Sequence, residues 1–284
     1  MAKIGLVLSG GMAKGAYQVG ALKAIRECLS EHEIEYISAS SVGVLNAYAF
    51  ASGKLDLIEE MWRDVCHEDN SRFITSVCRG SFLQRSLRKL ASETDTLPPY
   101  LYLTLYNTRN YSLNYVNLAD ASPKSRLAYL KASIAMPIYS KAITAEGVPY
   151  LDGAMVDNIP VYPLEKHAVD YIICIYFDDC NYVFENEFLD SRVIKLVFSD
   201  SSVIKTSVYL DEHRINYMLK NGYSYTKEYL ETLFSKGIDN KEYVYRKIKL
   251  YNKLHENKKS RVTGDALVSK CNRIAKRLIR KQIT

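Results

Sequence analysis

The hydrophobic pattern opens with a short continuous run, Ile4-Gly5-Leu6-Val7-Leu8, that stops at Ser9-Gly10-Gly11. A run of this length without polar alternation reads as a strand buried on both faces, here Lys3 to Ser9. After a loop from Gly10 to Gly15, apolar residues recur at helical spacing from about Ala16 to Leu29. The order then repeats, with a strand over Ile34 to Ala39, a turn at Ser40-Ser41 and a helix of small residues over Val44 to Ala51. Two strand and helix units in succession predict parallel strands with a right-handed crossover. Both turns then emerge at the carboxyl edge of one sheet, where such folds place their sites.

Further along, Lys54 to Val65 and Gly80 to Ala91 place Ile58, Met61 and Trp62, then Leu83, Leu87 and Leu90, on single helical faces suited to packing. Tyr100 to Tyr106 and Tyr111 to Leu118 alternate around Asn107-Thr108-Arg109-Asn110 as a hairpin does. Ser122-Pro123 predicts a helix start, with Ser as N-cap and Pro in the first turn, running to about Ile134. Ala142 to Leu151, folded at Glu146-Gly147, reads as a second hairpin that ends in Asp152-Gly153-Ala154. Asp170 to Phe177 and Val193 to Phe198 are continuous apolar runs, expected as central parallel strands. Helices over Lys205 to Leu219 and Ser224 to Leu233, separated at Asn221-Gly222, close an α/β domain.

Composition refines this picture at three points. At 284 residues and 48% hydrophobic, the chain is long enough for one large domain or a domain with an appendage. The first apolar run is too short for a signal-peptide core, and no window approaches an uncharged stretch of about 18 residues; a cytoplasmic protein is expected. Six cysteines without a Cys-x-x-Cys spacing suggest reduced thiols. The net charge of +6 is uneven. Lys241 to Thr284 holds 14 Lys and Arg against Glu242, Glu256 and Asp265, which leaves −5 for residues 1–240. Within this tail, Leu267, Val268, Cys271, Ile274, Ala275, Leu278 and Ile279 form one stripe of a basic amphipathic helix. Such a helix either docks its apolar face on protein or lies on an anionic membrane. Nucleic acid is not expected, because no recognition module accompanies the charge.

Candidate chemistry centres on the two turns. Ala39-Ser40-Ser41-Val42-Gly43 is one methyl away from the nucleophile-elbow pattern Gly-x-Ser-x-Gly, in which a strand-to-helix turn lifts a serine hydroxyl onto a helix N-terminus. The same residues also suit a plain helix N-cap. Gly10-Gly11-Met12-Ala13-Lys14-Gly15, between strand and helix, suits anion binding by backbone N–H groups. It also suits a tight turn packing helix on strand. It fits neither nucleotide fingerprint, since Lys14 precedes the second glycine of a Walker loop and Met12 stands where a dinucleotide loop needs glycine. An α/β-hydrolase builds several strands before its elbow, so this early elbow argues against that fold.

Four blocks in order give the chain a resemblance to the patatin-like phospholipases. They are Gly10-Gly11-Met12-Ala13-Lys14-Gly15, Ala39-Ser40-Ser41-Val42-Gly43, Ala132-Ser133-Ile134-Ala135-Met136-Pro137, and Asp152-Gly153-Ala154 followed by Asn158-Ile159-Pro160. The resemblance spans about residues 3 to 233. It implies a three-layer α/β/α fold with a mainly parallel central sheet and a Ser-Asp dyad without histidine, Ser41 as nucleophile and Asp152 as base. It further implies an oxyanion hole from the backbone N–H groups of Gly10, Gly11 and Met12, with Val42 as a further donor. Lys14 and Gly15 belong to the anion-binding loop, while Gly43, Gly153 and Asn158 support the elbow and the aspartate turn. Gly153 is expected to give the backbone its sharp turn. The family's glycine at position 39 is alanine here, and its third loop glycine is Met12. Where that backbone requires positive φ, Met12 costs about 1 kcal/mol.

The activity so implied is lipid acyl hydrolysis, of the phospholipase A or lysophospholipase type, through an acyl-enzyme and with no metal or other cofactor. The substrate is then a phospholipid or lysophospholipid. The expected organisation is a catalytic domain over 1–235 and a basic helical extension over 236–284, with peripheral anionic membrane contact through the tail and an oligomer left open. Three alternatives stand beside it: a catalytically degenerate lipid- or protein-binding module, an acyltransferase, and a Ser-His-Asp triad using His167 or His213.

Overall fold

The computed structural model describes residues 2–29, 34–65, 81–92, 94–137, 139–177, 191–198 and 211–256. Strand β1 (Ile4–Leu8) leads through a 3-10 turn at Met12–Lys14 into helix α1 (Gly15–Cys28), and β2 (Tyr36–Ser40) leads directly into α2 (Val42–Ala51). Helices α3 (Leu55–Asp64) and α4 (Ser81–Leu90) follow, then the hairpin β3 (Tyr100–Asn107) and β4 (Ser112–Asn117), and α5 (Pro123–Ser133). The second hairpin is β5 (Ile143–Ala145) and β6 (Val148–Asp152), followed by the short α6 (Tyr162–Glu165), strands β7 (Tyr171–Tyr176) and β8 (Val193–Val197), and helices α7 (Glu212–Leu233) and α8 (Lys241–Glu256). The sheet order is β5-β6-β3-β2-β1-β7-β8, with β4 paired to β3. Strands β3, β2, β1, β7 and β8 run parallel, and β4, β5 and β6 run antiparallel to their neighbours.

Period-two alternation within these strands sorts the two cores. Leu6, Leu8, Ile37, Leu103 and Ile173 point to the face covered by α1, α2 and α3. Val7, Tyr102, Ile172 and Cys174 point to the other face and pack with Ile159, Val161 and Leu164 from the chain after β6. Because both faces are covered, β1 and β7 carry apolar residues at both parities, which is why the sequence shows them as unbroken runs rather than alternating ones. The three-layer α/β/α arrangement and the mainly parallel sheet are as expected.

Three expectations about local structure need correction. β8, expected as a central strand, is the last in the sheet order among the described residues, its second edge facing away from β7. Ser122 precedes α5 as its N-cap residue, but its hydroxyl meets the Ser125 hydroxyl at 2.7 Å and caps no backbone N–H. The third concerns Asn221-Gly222, which does not separate two helices; α7 continues through it, and residues 205–210 of the expected first helix lie outside the described residues. Gly222 is there for packing. A Cβ at this position would run into the Tyr17 carbonyl oxygen of α1, and one at Gly20 would meet the Leu219 carbonyl of α7. The two helices therefore cross with backbones in contact, which only glycine permits.

Helix α8, in the region expected to begin the C-terminal extension, is packed onto the domain. Val244 and Ile248 are fully buried, Lys241 pairs with Asp170 at 2.6 Å, and Asn252 donates to the Val193 carbonyl. The basic amphipathic stretch from Asp265 to Lys281 lies outside the described residues, as do Cys66, Cys78, Cys180 and Cys271. Cys28 and Cys174 are free thiols. No helix among the described residues is long and apolar enough to cross a membrane.

The glycine crossing gives a test with a reversed sign. In an exposed helix Gly→Ala stabilises by about 1 kcal/mol. Gly222→Ala is expected to lower stability by about 2 kcal/mol instead, measured by urea denaturation, because the methyl must separate α7 from α1.

Candidate active site

The site is assembled where two strands end against each other. β3 pairs with β4 along one edge over Tyr102 to Asn107. Along its other edge it pairs first with β2, up to Ser40 opposite Thr104, and then with β6, from Asp152 opposite Leu105. β2 runs parallel to β3 and β6 antiparallel, so their carboxyl ends converge on adjacent β3 residues. This register brings Ser41 beside Asp152, close enough for the Ser41 hydroxyl to favour the charged form of the Asp152 carboxyl.

Each partner is held by its own backbone. Ser41 occupies the N-cap position of α2 with φ 53° and ψ −132°, a conformation that L residues avoid and that a nucleophile elbow requires. Gly43 lets α2 start this close to β1, since a Cβ there would lie 2.6 Å from the Ser9 carbonyl oxygen. Asp152 N–H donates to the Ala135 carbonyl at 2.9 Å, which ties β6 to the chain after α5, and its Oδ1 accepts from Ala154 N–H at 2.9 Å. Gly153 is required for proximity, not for the sharp turn expected of it. Its φ is not positive, but a Cβ would lie 2.6 Å from the Thr104 carbonyl of β3.

Asp152 is 3% exposed. Burial pushes its carboxyl up to about 7, against the opposing pull of the Ser41 hydroxyl and the Ala154 N–H, both of which favour the charged form. A carboxylate of ordinary acidity is a weak acceptor for a serine proton. Desolvation narrows that mismatch.

The glycine loop lies over this pair. A Cβ on Gly10 would lie 2.5 Å from Asn158 Oδ1 and 2.8 Å from the Ser41 Cβ, so the loop rests directly on the elbow. Gly10 N–H, expected among the anion donors, is engaged with the Asn158 carbonyl at 3.3 Å. Gly11 and Met12 N–H donate to no carbonyl among the described residues, and Val42 N–H is in the first turn of α2. The left-handed residue of the loop is Met12, at φ 50°, whereas Gly11 is extended at −170°. Lys14 Nζ donates to the Phe177 carbonyl at 3.2 Å and sits 5.6 Å from the Phe177 ring, so it ties the loop to the end of β7. Gly15 opens α1 with φ −56°.

These groups line a cleft of about 390 Å³ whose walls include Met12, Met136, Met155, Ile159 and Phe177. Three of the six methionines of the chain thus face one opening, a soft, polarisable lining suited to flexible apolar groups. Among the described residues, no group of three or more His, Cys, Asp or Glu side chains gathers as a metal cluster would.

Neither histidine of the triad alternative is at the site. His167 packs its ring at a tilt against Tyr36 and Tyr100, the first residues of β2 and β3 and so the opposite end of the strands from Ser41, and its Nε2 meets the Tyr102 hydroxyl at 3.0 Å. His213 is exposed in the first turn of α7.

Sequence reasoning missed the buried amides beneath the loop. Gln18 Nε2 donates to the Ser9 carbonyl at 2.8 Å; Asn46 Nδ2 donates to the Gly15 carbonyl at 2.9 Å and to Gln18 Oε1; Trp62 Nε1 donates to Asn46 Oδ1. The two ends of the glycine loop, Ser9 and Gly15, are held by one network. A signal was available, because Asn46 is a lone carboxamide in a helix otherwise built of apolar and small residues, and a buried amide must find partners.

The fold thus sets a serine at a strand-to-helix elbow beside a buried aspartate, with a glycine loop over both, on a mixed α/β/α sheet. Comparison with known proteins gives the family: a model described as patatin-like phospholipase matches residues 6–165, and the chain belongs to that family. Its curated relatives include lysophospholipase NTE1 of Scheffersomyces stipitis, 25% identical over an alignment of 186 residues, covering 61% of this chain and 11% of that protein. Another is lysophospholipase nte1 of Aspergillus oryzae, 26% identical over 189 residues, covering 61% of this chain and 12% of that protein. The chain thus matches only about a tenth of the length of these relatives. Among solved structures, VipD from Legionella pneumophila shares the fold with a TM-score of 0.50 at 14% identity, covering 82% of this chain and 67% of that one.

Two stability measurements probe the site. At ordinary positions Ala is favoured over Gly, but with φ at 50° Met12→Gly is expected to be more stable than Met12→Ala by about 1 kcal/mol in chemical denaturation. For Asp152, the folded chain holds its proton up to about pH 7, whereas the unfolded chain releases it near 4, so the fold loses stability as pH rises across that window. The loss reaches about 4 kcal/mol above pH 7. Asp152→Asn is therefore expected to gain more over the wild type at pH 8 than at pH 4.5 in thermal melts.

Proposed function

We propose that this chain hydrolyses carboxylic ester bonds of lipids, with Ser41 as nucleophile and Asp152 as general base. The observation that carries the reading is the placing of the Ser41 elbow beside a buried carboxyl in one cleft, with burial raising the pKa of that carboxyl to about 7. Membership of the patatin-like phospholipase family supports it independently.

In this reading the ester carbonyl enters the cleft and Ser41 Oγ attacks its carbon while Asp152 takes the hydroxyl proton. The oxygen of the tetrahedral intermediate accepts from Gly11 and Met12 N–H and from Val42 N–H at the positive end of α2. Collapse expels the alcohol, which receives the proton from Asp152, and leaves an acyl group on Ser41. Water then loses a proton to Asp152 as it attacks the acyl carbonyl, and the released acid regenerates both side chains. The methionine and phenylalanine walls suit the acyl chain, while Lys14, which also lines the cleft, suits the phosphate of a phospholipid or lysophospholipid.

A second reading has one observation in its favour. The strained Met12 backbone is consistent with a loop that binds lipid but no longer turns it over. Treatment with an alkyl fluorophosphonate distinguishes the two. The enzyme reading expects stoichiometric labelling that disappears in Ser41→Ala, and a protein unlabelled at saturating reagent supports the binding module.

Ester turnover is expected to fall by at least about 10³-fold in Asp152→Ala and to change little in His167→Ala. In the wild type, kcat/KM should rise with pH and level off above about 7, because the base must be ionised in the free enzyme. Loss of turnover on replacing His167 would return the assignment to a triad.

A further inference from the structure

The proposed chemistry needs the Gly11 N–H aimed into the cleft, and the residue that aims it stands 147 positions away. Gly10 C=O and Gly11 N–H belong to one peptide plane and, in the trans form, point in opposite directions. Whatever grips the carbonyl therefore sets the direction of the N–H. Asn158 Nδ2 donates to that carbonyl at 3.3 Å, and the Asn158 carbonyl accepts from Gly10 N–H at 3.3 Å, so one residue holds both sides of Gly10. No Cβ intervenes, since one built on Gly10 would lie 2.5 Å from Asn158 Oδ1.

Asn158 is anchored in turn by the residue before it. The Asp157 carboxyl accepts from the Tyr115 hydroxyl of β4 at 2.6 Å and from Ile159 N–H at 3.2 Å, closing the turn that presents Asn158. The Asp157 carbonyl accepts from the Ser40 hydroxyl at 3.1 Å, next to the nucleophile. Burial pushes the Asp157 carboxyl up, and the Tyr115 and Ile159 donors offset that by favouring the ion.

We propose that Asn158 is a positioning residue for the oxyanion donors, and that the Tyr115–Asp157 hydrogen bond holds it in register with both the loop and the elbow. This rests on the Ser41–Asp152 reading above. It gives the Asp157-Asn158 dipeptide a role distinct from that of Asp152: Asn158 lines the cleft but takes no proton, and it sets where the donor plane lies relative to Ser41 Oγ.

The test measures the second-order rate of fluorophosphonate labelling, kcat and KM for a soluble p-nitrophenyl ester, and the melting temperature. Asn158→Ala is expected to lower the labelling rate and kcat by about 10²-fold with KM within about threefold, a misplacement effect. Tyr115→Phe should lower both by about tenfold, and add little in the Asn158→Ala background, since the two act through one chain of bonds. A change in melting temperature without this kcat and labelling pattern would show a merely structural role and overturn the proposal. So would wild-type labelling rates in Asn158→Ala or Asn158→Asp, or full additivity with Tyr115→Phe. If labelling persists in Ser41→Ala, or the wild type is not labelled at all, the Ser41–Asp152 reading fails first and takes this inference with it.

Discussion

The constraint on which the site depends is a shared strand edge. Residues 100–107 of β3 present one edge to two partners in succession, β2 from one direction and β6 from the other, and neither can extend without displacing its neighbour. β2 must therefore leave the sheet after Ser40, which forces the elbow at Ser41, and β6 must end at Asp152. Two oxygen-bearing side chains meet because two strands run out of edge at one point. Gly153 enters the same argument, since the chain turning away from β6 passes within backbone contact of Thr104.

That meeting has an electrostatic consequence. A carboxylate at the end of a buried strand loses its water, and the Ala154 N–H with the neighbouring Ser41 hydroxyl returns only part of what hydration supplied. Its affinity for a proton rises accordingly. The fold thus carries a destabilising group at neutral pH. The strained dihedrals of Ser41 and Met12 lie within the same few ångströms and are held by the rigid elements around them: the buried amides of Gln18 and Asn46 beneath, Asn158 to one side and Lys14 to the other.

The helices outside the part matched by the family model are not an independent attachment. α7 meets α1 through Gly20 and Gly222 with backbones in contact, and α1 begins where the glycine loop ends. α8 closes the amino-terminal ends of β7 and β8 through Tyr245, Lys241 and Asn252. Residues beyond the matched region therefore fix the position of the helix that carries the loop.

The strands and most helix boundaries were legible because their determinants are local: unbroken apolar runs for doubly covered strands, alternation for the hairpins, and a helical stripe for α3. Ser41, Asp152 and the glycine loop were legible as short patterns with chemistry attached. The sequence could not show that Gly10 N–H is spent on Asn158, that Gly222 is a crossing point and not a helix break, that Gly153 answers to a neighbouring strand, or that Asp152 titrates near neutrality. Each of these depends on atoms brought together from positions far apart in the chain, through hydrogen bonding, close packing and loss of solvent. Local residue patterns determined which elements form and which side chains can react; only the three-dimensional arrangement decided which donors are free, which glycines are indispensable and how basic the aspartate is.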